Sequence, residues 1–267
     1  MNRCTYVQGQ ITTDLLDLMD IENFVVTKDT TVDELNEIMD NFNDILKSGK
    51  SVAFVIAKNA FTYDGKVEYV NDNVMVREEI IEHIVNVSGD DPIVSTTGKA
   101  SRELFEIRES NNQGHNYDFL TVGSMGHTSS IALGVAINKP GKKVWCIDGD
   151  GSALMHMGSL AVVGDVNPTN LVHIVINNGA HETVGGMPTV AGSMDLVKIA
   201  EACGYSHTAS VDNFDDLDSE LERVKSLDEL SFIEIMSSIG AREDLGRPTT
   251  TALENKENFM KFLNNKE

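Results

Sequence analysis

Two polar, glycine-containing turns constrain the fold of this chain more than any other feature. Residues 148–153 read Asp-Gly-Asp-Gly-Ser-Ala, residues 176–181 read Ile-Asn-Asn-Gly-Ala-His, and each run follows an apolar stretch typical of a strand. The 25 residues between Gly151 and Asn177 accommodate a helix and a second strand. A β–α–β crossover would therefore place the two turns side by side at the ends of parallel strands.

The chemistry of these turns indicates a metal-bound diphosphate. Asp150 offers a carboxylate in the first turn, and the asparagines of the second turn offer amide oxygens; both are hard ligands that suit Mg²⁺. The glycines allow backbone N–H groups to approach an anion, and Gly151 and Ser152 would be the donors. The alternative interpretation of Asp150 is a turn aspartate that caps the following helix.

Three further motifs extend the pattern: Ser-Thr-Thr-Gly-Lys at 95–99, Gly-Ser-Met-Gly-His at 123–127 and Gly-Gly-Met-Pro-Thr at 185–189. Together with the paired turns they resemble thiamine diphosphate (TPP) enzymes, and most of all the family of phosphonopyruvate and sulfopyruvate decarboxylases. The resemblance covers nearly the whole chain and is strongest over 93–190. It implies TPP and Mg²⁺ as cofactors and nonoxidative decarboxylation of a small anionic 2-oxoacid. Phosphonopyruvate would give phosphonoacetaldehyde and CO₂; sulfopyruvate or another 2-oxoacid is the alternative substrate.

The resemblance also implies a set of metal ligands. The side chains of Asp150 and Asn178 and the carbonyl of Ala180 would bind Mg²⁺, with two diphosphate oxygens and a water completing the shell. Asn177 would be structural, its amide holding the turn. Gly149 belongs to the same cofactor-binding turn.

A second turn facing the phosphates is expected at Thr97, Gly98 and Lys99, between a predicted strand and a predicted helix. In the enzymes that the chain resembles, this loop touches the diphosphate or the substrate. Lys99 is one of few cations near the expected cleft. The other interpretation is an ordinary connection from a strand to a helix.

The resemblance implies a pyrimidine-binding loop at 123–126. The carbonyl of Gly123 would accept a hydrogen bond from the 4′-amino group of the cofactor, and Met125 would wedge under it and force a V shape. A methionine suits a conformable wedge, although an ordinary core methionine is the alternative. His127 and Ser129 are further candidate active-site contacts.

His181 and Glu182 follow the metal-binding turn, where this family places groups that face the substrate. The histidine would bind the phosphonate or carboxylate, or donate a proton during turnover. The alternative is that both residues cap the next short segment. Residues 185–189 resemble a mobile loop near the substrate, although a plain turn is also consistent with them.

Apolar runs and helical patterns alternate along the chain, which predicts an α/β fold with a parallel sheet between layers of helices; the resemblance specifies the TPP-binding fold. The predicted strands are 51–57 (buried), 92–95, 120–122, 143–147, 171–176 and 231–236. The predicted helices are 31–49, opened by a capping box, and 77–87, from 101, 129–137, 194–203, 213–225 and 253–263.

Residues 59–74 are polar, lack a clear period and form the predicted linker. By the resemblance, residues 1–70 are the C-terminal remnant of a pyrimidine-binding domain plus linker, and residues 71–267 are the diphosphate-binding domain. The glutamate with which the family activates the aminopyrimidine has no counterpart, because Glu22, Glu34 and Glu37 come too late in the pattern. We therefore expect a truncated chain or one subunit of a split enzyme. It would bind its cofactor but be inactive alone, and would form a homo-oligomer or a complex with a pyrimidine-binding subunit.

The net charge of −21 argues against nonspecific binding to nucleic acid or to anionic membranes. No apolar run is long enough to span a bilayer, and the amino terminus lacks a signal-peptide pattern. Cys4, Cys146 and Cys203 form neither a disulfide framework nor a metal-binding spacing, which predicts reduced thiols in the cytoplasm. An acidic chain that binds anions needs a metal, backbone donors and a few placed cations.

Overall fold

The computed structural model describes residues 3–63, 65 and 67–265, which divide into two compact units, Met1–Val67 and Glu68–Glu267. The predicted linker over 59–74 includes Asp64 and Lys66, which lie outside the described residues; its other residues belong to no helix or strand. The assignment of the two parts to pyrimidine binding and diphosphate binding stays a prediction.

The first unit contains α1 (Arg3–Leu18), β1 (Glu22–Val26), α2 (Val32–Lys47) and β2 (Val52–Ile56). The two strands pair in parallel, with Glu22 opposite Val52. The prediction of α2 is confirmed, and the Thr31 hydroxyl accepts a hydrogen bond from the amide of Glu34. The predicted capping box is only half formed, because the hydrogen bonds of the described residues do not include one from the Thr31 amide to the Glu34 side chain. The prediction that β2 is buried is wrong in this unit: Phe54 is 38% exposed and Ile56 is 49% exposed. A sheet of two strands, the number found among the described residues of this unit, covers less of each strand than a wide sheet does.

The second unit is built on a six-stranded parallel sheet with the strand order β4-β3-β5-β6-β10-β9. Its strands are β3 (Ile93–Ser95), β4 (Asp118–Leu120), β5 (Val144–Gly149), β6 (Leu171–Asn177), β9 (His207–Val211) and β10 (Ser231–Met236), and a short antiparallel pair is formed by β7 (Ala180–His181) and β8 (Met187–Pro188). Its helices are α3 (Arg77–Ser88), α4 (Lys99–Ser110), α5 (Thr128–Asn138), α6 (Asp150–Met155), α7 (Gly158–Val166), α8 (Leu196–Cys203), α9 (Phe214–Ser226) and α10 (Ala252–Asn264).

Helices cover both faces of this sheet, as predicted. Trp145 and Ile147 of β5 pack into a core with α3, α4 and α9, whereas Val144 and Cys146 pack into a second core with α5, α7, α8 and α10. This alternation follows from the opposite directions of successive side chains along a strand. All seven residues of β6 are buried, as expected for a central parallel strand. The α/β, three-layer architecture is therefore confirmed.

Several elements differ from the prediction. Strand β4 begins and ends two residues before the predicted strand 120–122, because its pairing with β3 aligns Asp118 with Ile93 and buries the aspartate against Arg108. The interval between the two polar turns holds two helices, α6 and α7, rather than one. Strand β9 was not predicted, and neither was the capping box formed by Thr251 and Glu254.

The structure describes the side chains of two of the three cysteines. Cys146 is buried in the sheet and Cys203 is half-buried, and both are free; the side chain of Cys4 lies outside the described residues. Burial raises the pKa of the Cys146 thiol well above its ordinary value, and the charge of Asp148 adds to the effect. Of the helices that the structure describes, none has both the length and the apolar character needed to cross a membrane.

Candidate functional site

The two polar turns lie next to each other. Strands β5 and β6 are parallel neighbours, with Gly149 opposite Ile176, and residues from both turns line one cavity. The expected crossover geometry is confirmed. The cavity is lined from the first turn by residues 148–152, from the second by Ile176, Asn178 and Ala180–Thr183, and from other segments by Arg77, Thr96, Thr97, Lys99, Ala100 and Met125.

Asp150 is the first residue of α6 and is 3% exposed. One carboxylate oxygen, Oδ2, accepts a hydrogen bond from the Thr189 hydroxyl at 2.5 Å. Burial raises the pKa of Asp150, while the hydrogen bonds from Thr189 and from the Gly151 amide act in the opposite direction. The N-cap residue of α6 is Gly149 rather than Asp150, which disfavours the capping interpretation. The role of Asp150 as a metal ligand stays a prediction.

The second turn is held by its own side chains. Asn177 Oδ1 accepts from the Gly179 amide at 3.0 Å, and Asn177 Nδ2 donates to Glu234 Oε1 at 2.8 Å, so this residue holds the turn as expected. Asn178 Oδ1 accepts from the Ala180 amide at 3.0 Å. The carbonyl of Asn178 accepts from Nδ2 of Asn71, a residue that the sequence placed in a linker without assigning it a role. Backbone and side chain of the turn are thus both fixed.

Gly151 and Ser152 are closely packed at the base of the cavity. A Cβ atom on Gly151 would lie 2.7 Å from Nδ1 of His181, so a side chain cannot be added there without moving the imidazole. The buried Ser152 hydroxyl accepts from Thr96 Oγ1 at 2.9 Å and from the Gly126 amide at 3.0 Å. Ser152 therefore links three turns that the sequence treated separately.

The turn after β3 contributes two of its three predicted residues to the cavity. Thr97 and Lys99 line it, whereas Gly98 is not among the lining residues. Gly98 has a φ of +106°, which favours glycine, and a Cβ atom there would lie 3.1 Å from Cγ2 of Thr183. Gly98 therefore allows the backbone conformation of the turn and the close approach of Thr183.

The loop at 123–127 also contributes only some of its predicted residues to the cavity lining. Met125 is half-buried, lines the cavity and belongs to neither hydrophobic core, which disfavours the interpretation as a core methionine. Gly123 is exposed and does not line the cavity. His127 packs on His156, with ring centroids 4.1 Å apart, and Ser129 hydrogen-bonds Ser159, so these two candidate contacts lie outside the cavity lining.

His181 and Glu182 both line the cavity, and neither forms the capping contact of the alternative interpretation. The Glu182 carboxylate accepts from Arg77 Nη1 at 2.5 Å, from Lys99 Nζ and from Asn178 Nδ2 at 3.0 Å. Burial alone would raise the pKa of Glu182, but the charges and hydrogen bonds of Arg77 and Lys99 outweigh it and the pKa is lowered. Glu182 is therefore held as a carboxylate, which does not suit a proton donor.

Arg77 and Glu103 complete this cluster and were not predicted. Arg77 donates to both oxygens of Glu103, at 2.7 and 2.8 Å, in the two-pronged geometry that a guanidinium favours. Both side chains are buried. No local signal marks them, because Arg77 looks like an ordinary polar residue at the start of a helix.

Residues 185–189 form a defined connection in the structure. Ala180 pairs with Pro188 and His181 with Met187, and the amide of Thr189 donates to the Gly179 carbonyl at 2.8 Å. The Thr189 hydroxyl reaches Asp150, a contact that the sequence did not suggest. The plain-turn interpretation is incomplete, since this segment touches the candidate metal ligand.

Comparison with known proteins assigns the family. Residues 96–235 match the family model "Thiamine pyrophosphate enzyme, C-terminal TPP binding domain". The chain belongs to the thiamine pyrophosphate enzymes. The matched range contains every lining residue of the cavity except Arg77.

Two kinds of curated relative of this TPP enzyme confirm the resemblance inferred from its motifs. It is 39% identical to a phosphonopyruvate decarboxylase of Streptomyces viridochromogenes over 65% of its own length and 42% of the relative's. It is 38% identical to a sulfopyruvate decarboxylase subunit beta of Methanocaldococcus jannaschii over 55% of its own length and 75% of the relative's. The chain thus spans about two fifths of the phosphonopyruvate decarboxylase.

A solved structure agrees at the level of the fold. The X-ray structure of an enzyme from Mycobacterium smegmatis, described as thiamin diphosphate-dependent, aligns with a TM-score of 0.52 and 20% identity. The alignment covers 66% of this chain and 34% of that one. At this identity the likeness supports the α/β fold alone.

Proposed function

We propose that this chain is the diphosphate-binding part of a TPP- and Mg²⁺-dependent decarboxylase that converts phosphonopyruvate to phosphonoacetaldehyde and CO₂. The observation that carries the proposal is the meeting of the two polar turns in one cavity, in a chain of the TPP enzyme family whose curated relatives are 2-oxoacid decarboxylases. The proposal makes the substrate a small anionic 2-oxoacid.

The residues present fit a magnesium ion. Asp150 supplies one carboxylate, Asn178 an amide oxygen and Ala180 a carbonyl, and all three residues line the cavity. Among the described residues no three His, Cys, Asp or Glu side chains converge as a closed metal site would require. A site with one carboxylate suits Mg²⁺, which keeps waters and shares phosphate oxygens rather than filling an all-protein cage.

The cofactor would lie over the base of this cavity. We assign the diphosphate to the backbone of Gly149, Gly151 and Ser152, with Thr97 and Lys99 beside it. We assign the pyrimidine to the loop of Gly123 and Met125; of this pair, Met125 lines the cavity. When bound, TPP supplies a carbon nucleophile and an electron sink for decarboxylation.

His181 is the residue that we assign to the substrate. It lines the cavity next to Gly151, where a Cβ atom would lie 2.7 Å from the Nδ1 atom of His181. An imidazole there would bind an anionic group of the substrate or hold a proton at Nε2 or Nδ1 for transfer to the product. Glu182 is assigned a different role below, because its oxygens are already engaged.

The rest of the active site would come from another polypeptide. The cavity measures about 70 Å³, whereas whole ligand sites span roughly 300–1,000 Å³. Candidate contacts for association are Met155, Val162 and Val166 on α6 and α7, which are exposed apolar side chains. We propose that a second copy of the chain or a pyrimidine-binding subunit adds the missing part. The cytoplasmic location and the absence of nucleic-acid and membrane partners stay predictions.

One observation favours a second candidate function. The chain covers 75% of the sulfopyruvate decarboxylase subunit beta but 42% of the phosphonopyruvate decarboxylase, at nearly equal identity. Because this relative is a subunit beta, the second candidate is the diphosphate-binding subunit of a two-subunit sulfopyruvate decarboxylase or of another 2-oxoacid enzyme. In that case the chain alone would bind the cofactor without turnover.

An assay of CO₂ release separates these functions. We expect the 267-residue chain alone to decarboxylate phosphonopyruvate at least about 100-fold more slowly than the chain complemented with a pyrimidine-binding polypeptide, because general acid–base groups typically contribute about 10²–10⁴-fold. The measurement is steady-state CO₂ release with phosphonopyruvate, sulfopyruvate and pyruvate.

The complemented Asp150→Ala variant is the negative control. Full activity of the isolated chain would contradict the split site. If the complemented enzyme released CO₂ from sulfopyruvate but not from phosphonopyruvate, the second candidate would replace the first.

A further inference from the structure

We propose that Glu182 is a positioning residue that fixes the amide of Asn178 with its oxygen toward the metal, and that Arg77 holds Glu182 in place for this task. The inference rests on the proposed function, since it assumes that Asn178 binds Mg²⁺. It assigns a role to a charge cluster that involves residues from α3, from α4 and from the segment after β6.

The orientation of an asparagine amide decides whether it can bind a cation. Its oxygen is an acceptor with two lone pairs, whereas its NH₂ group is a donor only. Asn178 Nδ2 donates to Glu182 Oε2 at 3.0 Å, and Asn178 Oδ1 points to the other side, where it accepts from the Ala180 amide. Rotation of the amide by 180° would direct its oxygen at the Glu182 carboxylate. The repulsion between these two acceptors selects the orientation that a metal ligand needs.

Glu182 can impose this orientation because its carboxylate is itself fixed. Oε2 accepts from Arg77 Nη1 at 2.5 Å as well as from Asn178, and Oε1 accepts from Lys99 Nζ. Each carboxylate oxygen of Glu182 is thus paired with one cation, Oε2 with Arg77 and Oε1 with Lys99. Partly buried, charge-assisted hydrogen bonds of this kind are short and hold their partners more firmly than exposed ones do.

Arg77 provides a rigid anchor for Glu182. It forms both bonds to Glu103, which is 1% exposed, and Nη2 also donates to the Gly240 carbonyl at 3.2 Å. Arg77 is the first residue of α3, where the helix dipole disfavours a cation. The carboxylates of Glu103 and Glu182 offset that cost, so the arginine has a defined place in the fold. Lys99 lacks such an anchor and, at 27% side-chain exposure, remains open to the cavity.

Mutation of a residue that hydrogen-bonds a metal ligand typically weakens metal affinity by about 10–100-fold. We therefore expect Glu182→Ala to weaken Mg²⁺ binding about 10–100-fold at saturating TPP, and Glu182→Gln to weaken it less, because a glutamine oxygen can still accept from Asn178. The measurement is calorimetric titration of the full chain with Mg²⁺ in the presence of TPP, together with the thermal midpoint of the metal-free chain. Glu79→Gln, an exposed glutamate on α3, is the matched control and should bind as the wild type does.

The outcomes separate this inference from the proposed function. If wild-type chain shows no Mg²⁺-dependent TPP binding, the proposed function fails and this inference fails with it. If wild type binds and Glu182→Ala binds within about twofold of it, which is well below the effect of an outer-shell partner, the positioning role alone is overturned. Equal losses in the alanine and glutamine variants, accompanied by equal drops in the thermal midpoint, would also overturn it, because they would indicate a purely structural role.

Discussion

Replacement of Asp150 with alanine is expected to abolish Mg²⁺-dependent binding of TPP. Asp150 is the one carboxylate in the proposed ligand set, and its loss should exceed the roughly 10–100-fold effect of an outer-shell partner. The pKa of Asp150 is raised by burial, against the hydrogen bonds from Thr189 and Gly151. A raised pKa means that the ionised group is less stable in the folded chain than in the unfolded chain. The metal-free variant should therefore fold at least as stably as the wild type.

Calorimetry with TPP and Mg²⁺, repeated after addition of a chelator, measures this effect. Wild-type chain should lose binding on chelation, whereas Asp150→Ala should show none before or after. Asp215→Ala, which removes an exposed aspartate from α9, is the matched control and should leave binding unchanged. Unchanged affinity in Asp150→Ala would refute the assignment of this residue as a ligand.

Gly164→Ala is expected to be among the most destabilising single substitutions that the structure identifies. A Cβ atom at Gly164 of α7 would lie 1.7 Å from the carbonyl oxygen of Cys203 and 2.6 Å from its carbonyl carbon. Both atoms are backbone at the end of α8, so no side-chain rotation relieves the overlap and the two helices must separate. Overpacking typically costs about 1–3 kcal/mol in the free energy of unfolding, and we expect the upper end here because both contacted atoms are backbone.

Gly134→Ala provides the matched control. Gly134 also lies within a helix, α5, but a Cβ atom there meets nothing within 4 Å. Because alanine favours helix by up to about 1 kcal/mol over glycine, this variant should be as stable as the wild type or more so. Urea unfolding measures the free energy of unfolding of both variants. The chain concentration is chosen so that the unfolding midpoint does not depend on it. A Gly164→Ala variant as stable as Gly134→Ala would contradict the close packing of α7 on α8.

The parts of the fold that follow from local pattern could be predicted. Strands β5 and β6 are continuous apolar runs that end in glycine- or asparagine-rich turns, and the interval between them requires a crossover. Their adjacency, and hence the meeting of Asp150 and Asn178 at one cavity, follows from these two facts. The break between α6 and α7 at His156 and Met157 could not be predicted, because no proline marks it in the sequence.

Elements that depend on distant partners could not be predicted in the same way. Strand β9 reads His-Thr-Ala-Ser-Val, a weak strand pattern that is stabilised by its pairing with β10. Strand β4 begins at Asp118 because Arg108 neutralises the carboxylate. Burial raises the pKa of Asp118, although the hydrogen bonds and charge of Arg108 oppose this shift. Neither partner is visible from the local pattern.

The cluster around Glu182 shows the same limit within the site. Arg77 is 26 residues from Glu103 and 105 residues from Glu182 along the chain. The sequence identified Glu182 by its position after the second polar turn but suggested a group that faces the substrate. The fold brings two cations to it, and these contacts change its interpretation from a group that faces the substrate to a fixed carboxylate. The motifs thus indicated much of the cavity lining, whereas the charge pairing required the tertiary structure.

The most direct test of the central claim is the position of the metal in crystals of this chain grown with TPP and Mn²⁺, an ion that shares the octahedral oxygen coordination of Mg²⁺. Anomalous scattering locates Mn²⁺ independently of the protein and the cofactor. We predict one strong peak within coordination distance of the Asp150 carboxylate, Asn178 Oδ1 and the Ala180 carbonyl, with the diphosphate of TPP as a further ligand. A diphosphate-bound metal away from Asp150 and Asn178, or TPP bound elsewhere on the chain, would contradict the account.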